Sequence, residues 1–152
     1  MRRPTAPCRL GGALTALVTP FAAGGTRLDE RALGDLVAWQ VAQGSEGLVV
    51  AGLTGEGPTL TEPERARVLR IALEAAAGRV PVIAATGSNC TRTSVARTRD
   101  AAAAGAAATL AVTPYYNRPT QDGLYWHYAA IVTAVDLPLL VQTVPARTGI
   151  DL

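Results

Sequence analysis

The chain has 152 residues, enough to bury one sizeable core. Charged residues make up 17% and the formal net charge is +2, too mild a balance to argue for a nucleic-acid partner. All 14 basic residues are arginine, and Cys8 and Cys90 are too few and too far apart for a disulfide framework or a metal site; a reducing cytoplasm fits them.

The start, "MRRPTAPCRL", is basic but has no apolar segment behind it, so residues 1–11 read as a disordered tail ahead of a domain at 12–152. No run approaches the roughly 18 apolar residues of a membrane span. "ALTALVTP" (13–20) predicts a strand ended by Pro20. A helix follows, with Asp29 as N-cap, Leu33, Leu36, Val37 and Val41 on one face, and Gly44 as the stop. "GLVVAG" (47–52) is continuous and apolar, a strand buried on both faces. The second helix opens with Thr61 and Glu64 at capping-box spacing, has Pro63 in its first turn, and ends before Gly78. "VPVIAA" (80–85) is a third strand. An alanine-rich helix then runs from Cys90 to Gly105, and "AATLAVTP" (107–114) is a fourth strand. The fourth helix carries Leu124, Tyr128, Ile131 and Val132 on one face, with His127 either structural or facing solvent. "LPLLVQTVP" (137–145) is the fifth strand.

The pattern is β(αβ)4, which demands parallel pairing and right-handed crossovers. A doubly wound open sheet and part of a (β/α)8 barrel both fit. A whole barrel needs roughly 250 residues, so this length suits about half of one. Half a barrel would leave strands one and five as open edges, with apolar faces partly uncovered.

In either architecture chemistry gathers at the carboxyl ends of the strands. The second strand ends in "AGLTGEGPTL", which matches neither a dinucleotide fingerprint nor a P-loop. Gly52, Gly55 and Gly57 with Thr54 form either an anion cradle or a plain tight turn. The fourth strand ends in "TPYYNRPTQDG", placing Tyr115 and Tyr116 at the rim. The fifth ends in "QTVPARTG", whose Arg147 suits bidentate carboxylate binding.

"ALTALVTPF", "GLTGEGPTLT", "VPVIAATGSN", "VTPYYNRPTQDGLYWHY" and "VPARTGIDL" together resemble the dihydrodipicolinate synthase (4-hydroxy-tetrahydrodipicolinate synthase) family, in its order and spacing from about residue 12 onward. The resemblance implies a (β/α)8 barrel, here its amino-terminal half, and a cytoplasmic, class I aldolase-like lyase of lysine biosynthesis. In that family a lysine forms a Schiff base with pyruvate, and one threonine and two tyrosines relay protons during condensation with aspartate semialdehyde. No metal or further cofactor is implied. By the same resemblance Thr54 holds the pyruvate carboxylate. Tyr116 is a relay tyrosine serving the neighbouring subunit, and Arg147 binds the second substrate's carboxylate. A homo-oligomer or a complementary barrel half is the implied partner.

Three departures stand beside these matches. Leu53 occupies the place of the relay threonine, and Gln142 that of the second relay tyrosine. The Schiff-base lysine would fall beyond Leu152, and no lysine occurs elsewhere. Neither a leucine nor a primary amide transfers protons near neutrality. The chain alone is therefore expected to be inactive. A truncated non-catalytic paralogue, or a related aldolase of the N-acetylneuraminate lyase or 2-keto-3-deoxy-sugar type, is the alternative. Asn89 and Tyr115 match inhibitor-contacting positions of lysine-inhibited members, but Gly57, Pro58, Glu62 and Arg65 depart from that pattern, so lysine regulation is not expected.

Overall fold

Strands and helices alternate along residues 10–152, which the computed structural model describes. In order they are β1 (Leu14–Ala16), α1 (Glu30–Ala42), β2 (Gly47–Val50), α2 (Glu62–Ala76), β3 (Val82–Ala85), α3 (Thr91–Ala104), β4 (Ala108–Val112), α4 (Gln121–Val132), β5 (Leu139–Gln142) and α5 (Pro145–Thr148). A 3-10 turn, Gly57–Thr59, precedes α2. The expected basic tail lies, up to residue 9, outside the described residues.

All strands pair in parallel, in the order β1-β2-β3-β4-β5. A doubly wound sheet would reverse its order and carry helices on both faces. Here α1, α2 and α3 cover one face, where Leu48, Val50, Val82 and Ala84 pack with Leu33, Val37, Val68 and Ala72. Right-handed crossovers put α4 on that face too. The result is half of a (β/α)8 barrel, as the sequence led us to expect.

The other, inner face is less open than expected. Val49, Ile83 and Ala108 align across neighbouring strands and are buried, with Leu10, Leu14, Leu110 and Leu140 packed over them. Four large side chains thus fold over the floor of the half-barrel. β2, buried at every position, matches its reading as a strand covered on both faces.

Local signals set the helix starts. Asp29 caps α1 by accepting from the Ala32 amide at 3.0 Å. Thr61 and Glu64 make the capping box of α2, the Glu64 carboxylate accepting from the Thr61 amide at 2.8 Å. This holds the Glu64 carboxyl below its ordinary range. Gly105 ends α3 in the left-handed region, at φ 97°. Arg67 pairs with Glu30, and Arg97 with Glu62, tying α2 to each neighbouring helix.

Three expectations need correction. β1 is confined to Leu14–Ala16, because the chain beyond Leu17 turns up into a rim loop. β5 stops at Gln142, and Pro145 begins the short helix α5 rather than ending a strand; its fixed φ and missing N–H suit a first helical turn. On α4 the buried positions are Leu124, His127 and Ile131, while Val132 is 50% exposed.

His127 is structural. Its Nδ1 lies 2.8 Å from the Thr91 hydroxyl, and its Nε2 is buried without a partner among the described residues. Burial holds its pKa below the ordinary value, so the folded state keeps it neutral. The unfolded chain takes up the proton more readily. Stability should therefore be level above about pH 6.5 and decline as pH falls through and below it. Urea midpoints from pH 8 to 5 check this. His127→Gln should flatten the slope, and an unchanged slope would assign the pH response to other groups.

Candidate functional site at the carboxyl edge of the sheet

The rim loops after β2, β3, β4 and β5 meet at the carboxyl edge. The loop after β2 is unusually constrained. Ala51 and Glu56 both take positive φ, at 54° and 56°. The Gly57 amide returns to the Gly52 carbonyl at 2.8 Å, and the Thr19 hydroxyl donates to the Gly55 carbonyl at 2.7 Å. Gly57 has no room for a side chain, since a Cβ there would lie 2.1 Å from the Ala51 carbonyl oxygen.

Arg65 braces this loop. Its guanidinium donates to the Gly57 carbonyl at 2.6 Å and to the Ala85 carbonyl at 2.5 Å. It is buried, and burial, with Arg97 nearby, lowers its pKa to about 10. At neutral pH it remains a cation, held by backbone oxygens of the loop after β2 and of the end of β3. The sequence reading did not single out this bracing role. The signal was present: Arg65 falls at helical spacing with Val68, Leu69 and Ala72, a charge on the buried face of α2.

The loop after β4 is pinned from the side. The Asn117 amide donates to the Asn89 carbonyl at 2.8 Å. Tyr116 and Arg118 take positive φ, 72° and 47°, conformations that L residues hold only under constraint. The ring of Tyr116 is 88% exposed, and that of Tyr115 is half-buried. After β5, the Thr113 hydroxyl donates to Thr148 at 3.1 Å, which anchors α5 and so positions Arg147. Arg147 is exposed and belongs to no ion pair among the described residues.

A small cavity of about 20 Å³ opens on the inner side of this edge. Leu53, Gln142, Leu110, Val112, Arg65 and Gly57 are among its lining residues. The expected site residues divide around it. Leu53 and Gln142, which stand in the places of the relay threonine and the second relay tyrosine, line the same cavity although 89 positions apart. Thr54, Tyr116 and Arg147 stand on the rim loops and do not line it. A larger cleft of about 110 Å³ lies on the outer side between α2 and α3, walled by Glu62, Arg65, Arg97 and Asp100, and opened by the small side chains Ala66, Ala101 and Ala104. No cluster of residues suited to a metal ion occurs among the described residues. Nor is any helix there long and apolar enough to cross a membrane.

One-directional strands, helices on one face and a loop-built cavity at the carboxyl edge define a (β/α)8-barrel protein, present here as its first five strands. The family model "Dihydrodipicolinate synthetase family" matches residues 9–152. The chain belongs to that family. It is 53% identical over 141 residues to the 4-hydroxy-tetrahydrodipicolinate synthase of Rhodospirillum centenum, covering 93% of this chain and 48% of that protein. The corresponding protein of Thermomicrobium roseum is 54% identical over 143 residues, covering 94% and 47%. Among solved structures, dihydrodipicolinate synthase from Aquifex aeolicus superposes with a TM-score of 0.90 at 43% identity, covering 93% of this chain and 48% of that one. The chloride-inhibited enzyme of Acinetobacter baumannii, complexed with pyruvate, gives 0.90 at 47% identity, again covering 93% and 48%. The chain thus spans about half the length of the relatives it matches.

Proposed function

We propose that this chain is the carboxylate-recognising half of a pyruvate-handling barrel, and that by itself it holds a 2-oxo acid without turning it over. One observation carries the reading: Leu53 and Gln142 line one cavity at the carboxyl edge. If the family's relay threonine and tyrosine stood there, they could exchange protons with a bound ketone. An isobutyl group and a primary amide cannot. The lysine that would attack the ketone carbon is absent from these 152 residues.

The binding elements persist. Thr54 offers a hydroxyl on a glycine-rich loop, and Arg147, in no ion pair among the described residues, a guanidinium suited to the carboxylate of a second substrate such as aspartate semialdehyde. Tyr116 keeps its phenol exposed on a constrained backbone, as a residue reaching toward a neighbouring subunit would. The combination of Tyr116 and Arg147 favours the synthase over the related sugar-acid aldolases. The chemical setting is the synthesis of lysine, in a soluble compartment.

Ligand-observed NMR with pyruvate tests the reading. Saturation transfer from the chain to the pyruvate methyl is expected, with binding weakened about tenfold or more by Thr54→Ala, a loss of roughly 1.5 kcal/mol for one hydrogen bond to a charged group. Borohydride added to the same mixture should leave every internal residue unmodified. Absence of transfer would end the binding reading. A covalent adduct on an internal side chain would end the inactive one.

A further inference from the structure

The outer cleft between α2 and α3, about 110 Å³ in volume, has an apolar floor and a buried cation in its wall. Val50, Leu69, Ala84 and Ala101 are buried along that floor. The methyl side chains of Ala66, Ala101 and Ala104 leave the two helices unable to fill the space between them. The cation is Arg65, 8% exposed. A guanidinium carries five N–H donors in a rigid fork. Here each terminal nitrogen donates once, to the carbonyl of Gly57 and to that of Ala85. The other N–H groups have no acceptor among the described residues, and Arg65 belongs to no ion pair there. Glu62, one helical turn back, is taken by Arg97. Burial and the neighbouring Arg97 both disfavour the charge on Arg65, so an anion in the cleft would offset both.

We propose that this cleft binds a small aliphatic monocarboxylic acid, its carboxylate on the Arg65 guanidinium and its branched alkyl chain over Leu69, Ala101 and Val50. The planar fork matches a carboxylate, and the unused donors of a buried Arg65 are the chemistry that selects one. The floor selects the tail: apolar surface that would otherwise stay wet is covered by an alkyl group and not by a second polar one. At roughly 10–15 Å³ for one water, about 110 Å³ admits on the order of eight ligand atoms, the size of a short branched acid. Glu62 and Asp100 stand exposed at the walls, so a second negative charge on the ligand would be repelled. The cleft is distinct from the rim where Thr54 and Arg147 stand, since neither lines it, and the proposal does not depend on whether pyruvate binds there.

The probe is 3-methylbutanoate, titrated into the chain and followed by proton–nitrogen correlation spectra. The amides of α2 and α3 around Ala66 and Ala101 should shift saturably, together with the Arg65 Nε–H signal. 3-Methylbutanamide has the same shape without the charge and should bind about tenfold or more weaker. Formate keeps the carboxylate without the alkyl chain and should also lose about tenfold or more. Ala66→Leu with Ala104→Leu should abolish the shifts by filling the cleft. Both positions are exposed and leucine is a strong helix former, so the thermal melt should hold. Absence of saturable shifts would overturn the proposal. So would equal affinity for the amide or for formate, shifts confined to the loops after β2 and β4, or a folded double variant that binds as before. The amide and formate comparisons use the unaltered chain, so they decide the matter even where the double variant folds poorly.

Discussion

Gly57→Ala should lower the free energy of unfolding by about 2–3 kcal/mol, the upper range for forcing added volume into a packed site. The obstruction is backbone, not a flexible side chain: the new methyl would meet the Ala51 carbonyl oxygen at 2.1 Å and its carbon at 2.9 Å. It would also press on the Arg65 guanidinium, 3.1 Å away, whose bond to the Gly57 carbonyl holds the loop to α2. Relief requires that the loop lift from the end of β2, and a lifted loop exposes the buried cation. Urea unfolding at fixed pH measures the loss. A change under about 0.5 kcal/mol, the ordinary range for surface substitutions, would mean that the loop moves freely and that Thr54 is not held in place.

Ile83→Ala should cost about 3 kcal/mol, within the range for truncating a large buried aliphatic side chain. Ile83 is wholly buried although it faces the inside of a half-barrel, where the opposing strands of a closed barrel would ordinarily complete the core. Its cover is local: Leu10, Leu14, Leu110 and Leu140. Truncating Ile83 would leave a void under four side chains that are themselves only partly buried. A full loss would establish that the inner floor is packed in solution. A loss below about 1 kcal/mol would indicate that the four leucines do not stay folded over it, and that the inner face is as open as the strand count alone suggests.

Much of the fold was legible because the determining interactions are close in sequence. Asp29 bonds an amide three residues on, and Thr61 and Glu64 bond each other across one turn. Gly105 supplies the backbone freedom that stops a helix, and the apolar run of β2 announces a strand covered on both faces. Alternation of strands and helices then leaves parallel pairing with right-handed crossovers. Periodicity did not distinguish a curved barrel from an open sheet, because both bury the same runs. Strand order is a tertiary property, and β1-β2-β3-β4-β5 decided it.

The site divides along the same line. Tyr116, Thr54 and Arg147 could be singled out from their loops, since strand ends gather function in this architecture. The positive φ of Tyr116 arises from a turn held by Asn89, 28 residues away, and no local pattern encodes that bond. Arg65 was visible as a charge on an apolar face, but its acceptors are the carbonyls of Gly57 and Ala85, brought together only when β2 and β3 pair. Val132 reads as buried on a helical wheel, but the buried arc of α4 is Leu124, His127 and Ile131, which leaves Val132 50% exposed. The sequence by itself determined the elements, their caps and the residue types at the rim, all set by interactions within a few residues. Tertiary structure alone decided that Leu53 and Gln142 share one cavity, because only parallel pairing of β2 through β5 spans the 89 positions between them.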